Sequence, residues 1–207
     1  IYINGVNQGN PPRPVITNNL IEGNAADPPA GQNANNSSEG DGGGIYVGFN
    51  AAPIIVANTI KTNRAGNPAT NNQFGDGGGI AMYSRVTVQD TKISGNLISD
   101  NNAADYGAGI ACGGFGAPTD PSRATIDNNV FNINGGVDGG GIGTDTTLVK
   151  IYNNTFQDNN ASLHGGAIYL APTTNVGQDA TIVNNLVTSN QATGLGVAGG
   201  IYVSTGT

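Results

Sequence analysis

Six times along this chain a cluster of glycines runs directly into an apolar triplet: DGGGIYV at 41–47, DGGGIAM at 76–82, YGAGIAC at 106–112, DGGGIGT at 138–144, HGGAIYL at 164–170 and VAGGIYV at 197–203. The isoleucines fall at 45, 80, 110, 142, 168 and 201, at intervals of 26 to 35 residues. Fixed motifs at such a period, separated by variable filler, mark a solenoid. The filler is Gly, Asn, Pro, Ser and Thr, which form no amphipathic stretch of helical length. The ordered pieces are instead a few residues long and alternate apolar with polar, as strands do.

A second motif alternates with the first. An apolar residue, two others and an Asn recur at Ile21–Asn24, Ile60–Asn63, Ile98–Asn101, Phe131–Asn134, Phe156–Asn159 and Val187–Asn190. Two places before each apolar residue stands a further Asn: Asn19, Asn58, Asn96, Asn129, Asn154 and Asn185. Short β-branched stretches such as PVIT, IIVA, ATID, VKIY and ATIV lie just upstream. The pattern predicts an all-β fold, a single-stranded parallel β-helix of the pectin-lyase-like kind, with about six turns in one domain over 1–207. Its hand is expected to be right, as parallel crossovers are.

That fold gives the glycines a reason. At a corner a side chain would strike the turn stacked about 4.8 Å away. Gly43, Gly78, Gly140 and Gly166 are the expected corner residues. The triplet after each corner then points two side chains inward and its middle residue, such as Tyr46, Tyr169 or Tyr202, outward. The repeated asparagines, Asn58, Asn96, Asn129, Asn154 and Asn185 among them, are expected to form a turn-to-turn amide ladder and to tolerate left-handed backbone angles.

FQDN at Phe156–Asn159 followed by GGAI at Gly165–Ile168 resembles the paired FxxN and GGAI motifs of polymorphic outer-membrane proteins. The looser pattern extends over nearly the whole chain. The resemblance implies a right-handed β-helix displayed on a cell surface, with a role in adhesion.

Composition narrows the partners. The net charge is −7, with charged residues at 10%, so there is no basic stripe for nucleic acid. No apolar run reaches the length of a membrane span. Many Gly and Asn residues and no Trp suit an extracellular or cell-surface protein. Cys112 is the only cysteine, so no internal disulfide forms. Ile1-Tyr2-Ile3 repeats the phase of Ile201-Tyr202-Val203, and neither end carries a cap. The chain is therefore expected to be part of a longer solenoid, bounded by flanking turns, or a subunit that joins itself end to end into a filament through these residues.

Chemistry is sparser. The position four before each motif Ile holds Asp41, Asp76, Tyr106 (beside Asp105), Asp138 and His164. Stacked in register, Asp41 and Asp76 are candidates for a Ca²⁺ site. The competing expectation is that each Asp caps the glycine N–H groups that follow it. His164 with Asp138 and Asp158 suggests an acid–base pair, although the motif position suggests a turn residue. Cys112 falls at an inward position and is expected to be buried. No catalytic residue is assigned and no cofactor beyond Ca²⁺ is expected. The reading is a non-catalytic structural or adhesive surface protein. Its alternatives are a polysaccharide lyase or glycoside hydrolase, and a sugar-binding module using loops at 25–41, 65–76 and 113–123. A host surface or a polysaccharide is the expected external ligand.

Overall fold

The structure, a computed structural model, describes residues 1–5, 11–27, 40–66, 75–83, 90–113, 122–145, 147–171, 180–194 and 198–204. The loop expectations at 25–41, 65–76 and 113–123 lie largely outside the described residues.

Every turn of the chain makes four short strands, and each strand pairs in parallel with its counterparts one turn away. Among the described residues four sheets result, here labelled A to D. Sheet A runs from Tyr2–Ile3 through Ile80–Met82 to Ile201–Val203 and holds seven strands. Sheet B runs from Val15–Thr17 to Thr181–Val183, and sheet C from Leu20–Glu22 to Leu186–Thr188. Sheet D runs from Ala25–Ala26 to Gln191–Ala192, and sheets B, C and D hold six strands each. About six turns stack along one axis, as the repeat predicts. The sequence reading resolved strands for A, B and C but not for D, whose strands are as short as two residues.

Period-two alternation sends one column of each strand inward. Ile45, Ile80, Ile110, Ile142 and Ile168 stack in sheet A, all fully buried. Ile55, Ile93, Ile126 and Ile151 do the same in sheet B, and Ile60, Ile98, Phe131 and Phe156 in sheet C. The two phenyl rings lie stacked at 4.6 Å. Cys112 belongs to this core, and burial pushes its thiol pKa up to about 12.

The glycine corners are tight. A Cβ at Gly43 would stand 2.4 Å from the carbonyl oxygen of Arg64 and 2.5 Å from that of Gly78. At Gly78, Gly140 and Gly166 the nearest carbonyl oxygen would be 2.3–2.5 Å away. The left-handed backbone, however, is not adopted by the ladder asparagines. It falls on the residue before each one: Asn18, Ala57, Gly95, Asn128, Asn153 and Asn184 at one corner, and Gly23, Thr62, Asp100, Ile133, Asp158 and Ser189 at the next. This residue turns the chain, so the Asn that follows is aimed inward.

Candidate functional site

Two polar systems run along the stack. The first is the pair of asparagine ladders, one between sheets B and C and the other between C and D. Asn58 shows the rule: its N–H and its Nδ2 both donate to Oδ1 of Asn96 one turn on, at 2.9 and 3.1 Å, and Nδ2 also reaches the Ile16 carbonyl at 2.8 Å. The same bonds link Asn96 to Asn129, Asn129 to Asn154 and Asn154 to Asn185. A parallel ladder runs through Asn24, Asn63, Asn101, Asn134, Asn159 and Asn190. Asn58, Asn96, Asn129 and Asn154 are each at most 2% exposed, and burial of so many amides is tolerable only because each is hydrogen-bonded.

The second system is the row before sheet A. The N–H of Asp76 donates to Oδ1 of Asp41 at 2.9 Å, the N–H of Tyr106 to Oδ1 of Asp76 at 2.9 Å, and the N–H of His164 to Oδ1 of Asp138 at 3.0 Å. Each Asp therefore caps the backbone of the residue stacked on it, one turn away. Two unique contacts are added. The Tyr83 hydroxyl donates to Oδ2 of Asp76 at 3.0 Å, and Nδ1 of His164 lies 2.7 Å from Oδ1 of Asp138. Of the two acids weighed for His164, the fold supplies Asp138. Asp158 lies on the surface beside Gln157.

Burial dominates the electrostatics of this row. It raises the pKa of Asp41, opposed by the Asp76 N–H, and raises that of Asp76 well above the carboxylate range, assisted by the Asp41 charge. Burial and then the charges of Asp138 and Asp41 bring Asp105 to about 7. Oδ2 of Asp41 is buried without a hydrogen-bond partner among the described residues. The calcium expectation thus rests on Asp41 and Asp76 with the Tyr83 hydroxyl near them. Among the described residues no group of three or more His, Cys, Asp or Glu side chains is placed to hold a metal.

Aromatic rings follow the same flank. Tyr2 stacks on Tyr46 at 5.1 Å, and Tyr46 meets Tyr83 at 5.6 Å. Farther along, Tyr169 stacks on Tyr202 at 5.7 Å, with Tyr106 and His164 beside them. A cavity of about 500 Å³ opens at the first turn, between Tyr2, Tyr46, Asp27 and Asp41. Sequence reasoning missed Tyr83, because its ring returns to Asp76 from beyond sheet A. It also missed the pairing of the basic residues: Arg123 and Lys150 both bind Asp90, Lys61 binds Glu22 and Arg64 binds Asp27.

Stacked parallel strands, inward isoleucine columns and asparagine ladders define a parallel β-helix. The sequence pattern of the family described as a right-handed β-helix region matches residues 65–207, and the chain belongs to that family. Comparison with curated proteins and with solved structures yields no match. No helix is long and apolar enough to cross a membrane among the described residues.

Proposed function

We propose that this chain is a non-catalytic structural or adhesive β-helix, displayed at a cell surface or secreted, and able to associate end to end. One observation carries the reading. Its recurrent polar side chains bond to their own counterparts one turn away, from Asn19 to Asn185 and from Asn24 to Asn190. Such chemistry is repeated along the axis and directed at the stack, as a scaffold requires. The likeness of FQDN and GGAI to polymorphic outer-membrane proteins supports surface display, as does the acidic, Gly- and Asn-rich composition. The test is protease or antibody access to the chain on intact cells, together with adhesion of the purified chain to host surfaces. Access without adhesion supports a structural role, and exclusively internal chain overturns the reading.

A second reading, a polysaccharide lyase or glycoside hydrolase, is favoured by one contact. Asp138 orients the only histidine, His164, through Nδ1, and Asp105 beside Asp138 holds a proton near neutrality. An oriented imidazole and a carboxyl of raised pKa are the parts of acid–base catalysis. Cleavage of any member of a polysaccharide panel that is lost in both His164→Gln and Asp105→Asn would establish this reading in place of the first.

A further inference from the structure

We propose that the outer face of sheet C is a self-complementary docking surface, on which a second copy of this chain packs side by side with its helix axis reversed. The contact is lateral. It is independent of the end-to-end association and the surface display proposed above.

The first observation is a bare apolar column. One outward position per turn of sheet C holds Leu20, Thr59, Leu97, Val130, Thr155 and Leu186, in direct register. Leu97 is 41% and Val130 40% exposed. Their strands are paired on both sides, so the exposure is sideways, and further turns above or below would leave it as it is. Large apolar side chains repeated about every 4.8 Å, with no charge among them, mark a contact surface. Sheet B differs, because the column that begins with Val15 and Ile54 goes on to Lys92 and Lys150. In sheet A the outward Ala81, Ala111 and Tyr169 are already buried.

The second observation identifies the occupant. About the midpoint between Leu97 and Val130 the column reads nearly the same in both directions. A two-fold axis parallel to the strands at that level sets Leu97 opposite the partner's Val130, Thr59 opposite the partner's Thr155 and Leu20 opposite the partner's Leu186. Each apolar group then meets an apolar group, and each threonine a threonine. Such an axis also keeps the neighbouring polar column opposite itself, with Ser99 facing the partner's Asn132 and Lys61 the partner's Gln157. Lys61 thereby lies beside the exposed carboxylate of the partner's Asp158, an attractive pair that the symmetry repeats. A slip of one turn in either direction sets the threonines against leucine or valine. An axis along the helix sets the apolar column against the polar one. The matched arrangement is isologous and closes at two copies.

The contact is small. The strands of sheet C rise about 29 Å along the stack, and the face is about 16 Å wide from corner to corner. A footprint of about 460 Å² per copy falls at the low end of specific interfaces, so the pair is weak and forms at high concentration.

The test is sedimentation equilibrium of the 207-residue chain up to about 1 mM, with cross-linking to fix the register. The expected result is association that Val130→Glu, which sets an unpaired charge in the contact, weakens by at least about tenfold. Leu97→Gln acts in the same direction, and Lys92→Glu on sheet B leaves association unchanged. Circular dichroism checks that each variant keeps the fold. A short bis-maleimide is expected to join a Thr59→Cys chain to a Thr155→Cys chain and to link neither variant to itself, since the native Cys112 is buried. A chain that is monomeric at about 1 mM overturns the proposal, as does association that folded Val130→Glu and Leu97→Gln both retain in full. Cross-linking of either cysteine variant to itself overturns the register. A monomeric chain that binds insoluble cellulose or phosphatidylcholine vesicles through Val130 also overturns the pairing and gives the face to a polysaccharide or a lipid surface. Surface access, measured separately, is untouched by these outcomes.

Discussion

The backbone N–H of Asp76 donates to Oδ1 of Asp41 one turn below it, whereas the N–H of Asn58 donates to Oδ1 of Asn96 one turn above. The two polar columns of the helix thus run in opposite directions. The asparagine column carries no charge. The aspartate column does, and its members are buried near one another, which makes it the part of the fold most sensitive to pH.

Asp41, Asp76 and Asp105 all have pKa values raised by burial first. A carboxyl raised in the folded state binds its proton more tightly there than in the unfolded chain. Its stabilising effect is complete below the unfolded value of about 4 and is lost as pH rises through the folded value, about 7 for Asp105. At Asp90 burial acts upward, but Arg123 and Lys150 outweigh it, so Asp90 stabilises above about pH 4. Melting temperature should therefore rise between pH 8 and pH 5 and fall again under stronger acid. Differential scanning calorimetry measures it. If no cation sits between Asp41 and Asp76, millimolar Ca²⁺ or EDTA at pH 7.5 should leave the melting temperature unchanged. A rise with Ca²⁺ that EDTA reverses would establish the metal site.

Ile133 has φ +57° and is 53% exposed. A β-branched residue there is strained by about 1–2 kcal/mol, with little burial in return. Ile133→Gly and Ile133→Asn should each stabilise the chain by about 1 kcal/mol in urea unfolding.

Asn129 accepts from the N–H and Nδ2 of Asn96 and donates to the Ile93 carbonyl and to Oδ1 of Asn154. Asn129→Ala leaves several buried groups unpaired, at about 1–3 kcal/mol each. A loss of at least about 3 kcal/mol is expected, against less than about 1 kcal/mol for an exposed control with ordinary backbone angles such as Asn160→Ala.

Gly140 and Gly95 separate two kinds of glycine. A Cβ at Gly140 would meet carbonyl oxygens at 2.5 and 2.6 Å, while one at Gly95 meets nothing within 4 Å, although φ there is +64°. Gly95→Ala should cost about 1 kcal/mol, the conformational term alone. Gly140→Ala should cost more than twice as much, because stacked backbone must move apart. Thermal unfolding of the pair reads the difference.

Cys112 is buried in the core with its pKa pushed up to about 12. A thiol reagent at pH 8 should label it only on global unfolding, with the labelling rate tracking denaturant.

The parallel stack, the inward positions of Ile45 and Val47, the register of Asp41 over Asp76 and the corner glycines were all legible in the sequence. Each depends on local rules: alternation with period two, backbone clearance at a fixed strand spacing, and identical motifs that pair only with one another. Sheet D was not legible, since a strand of two residues has no period. Nor was the left-handed residue before each ladder Asn, because positions such as Ala57 and Ile133 carry no turn signature. Tyr83 against Asp76 and Asp105 beside Asp138 depend on how turns of unequal length come to lie on one another. Only the closed coil decides that, since contacts across one turn join residues about thirty apart whose side chains hold no local record of their neighbours.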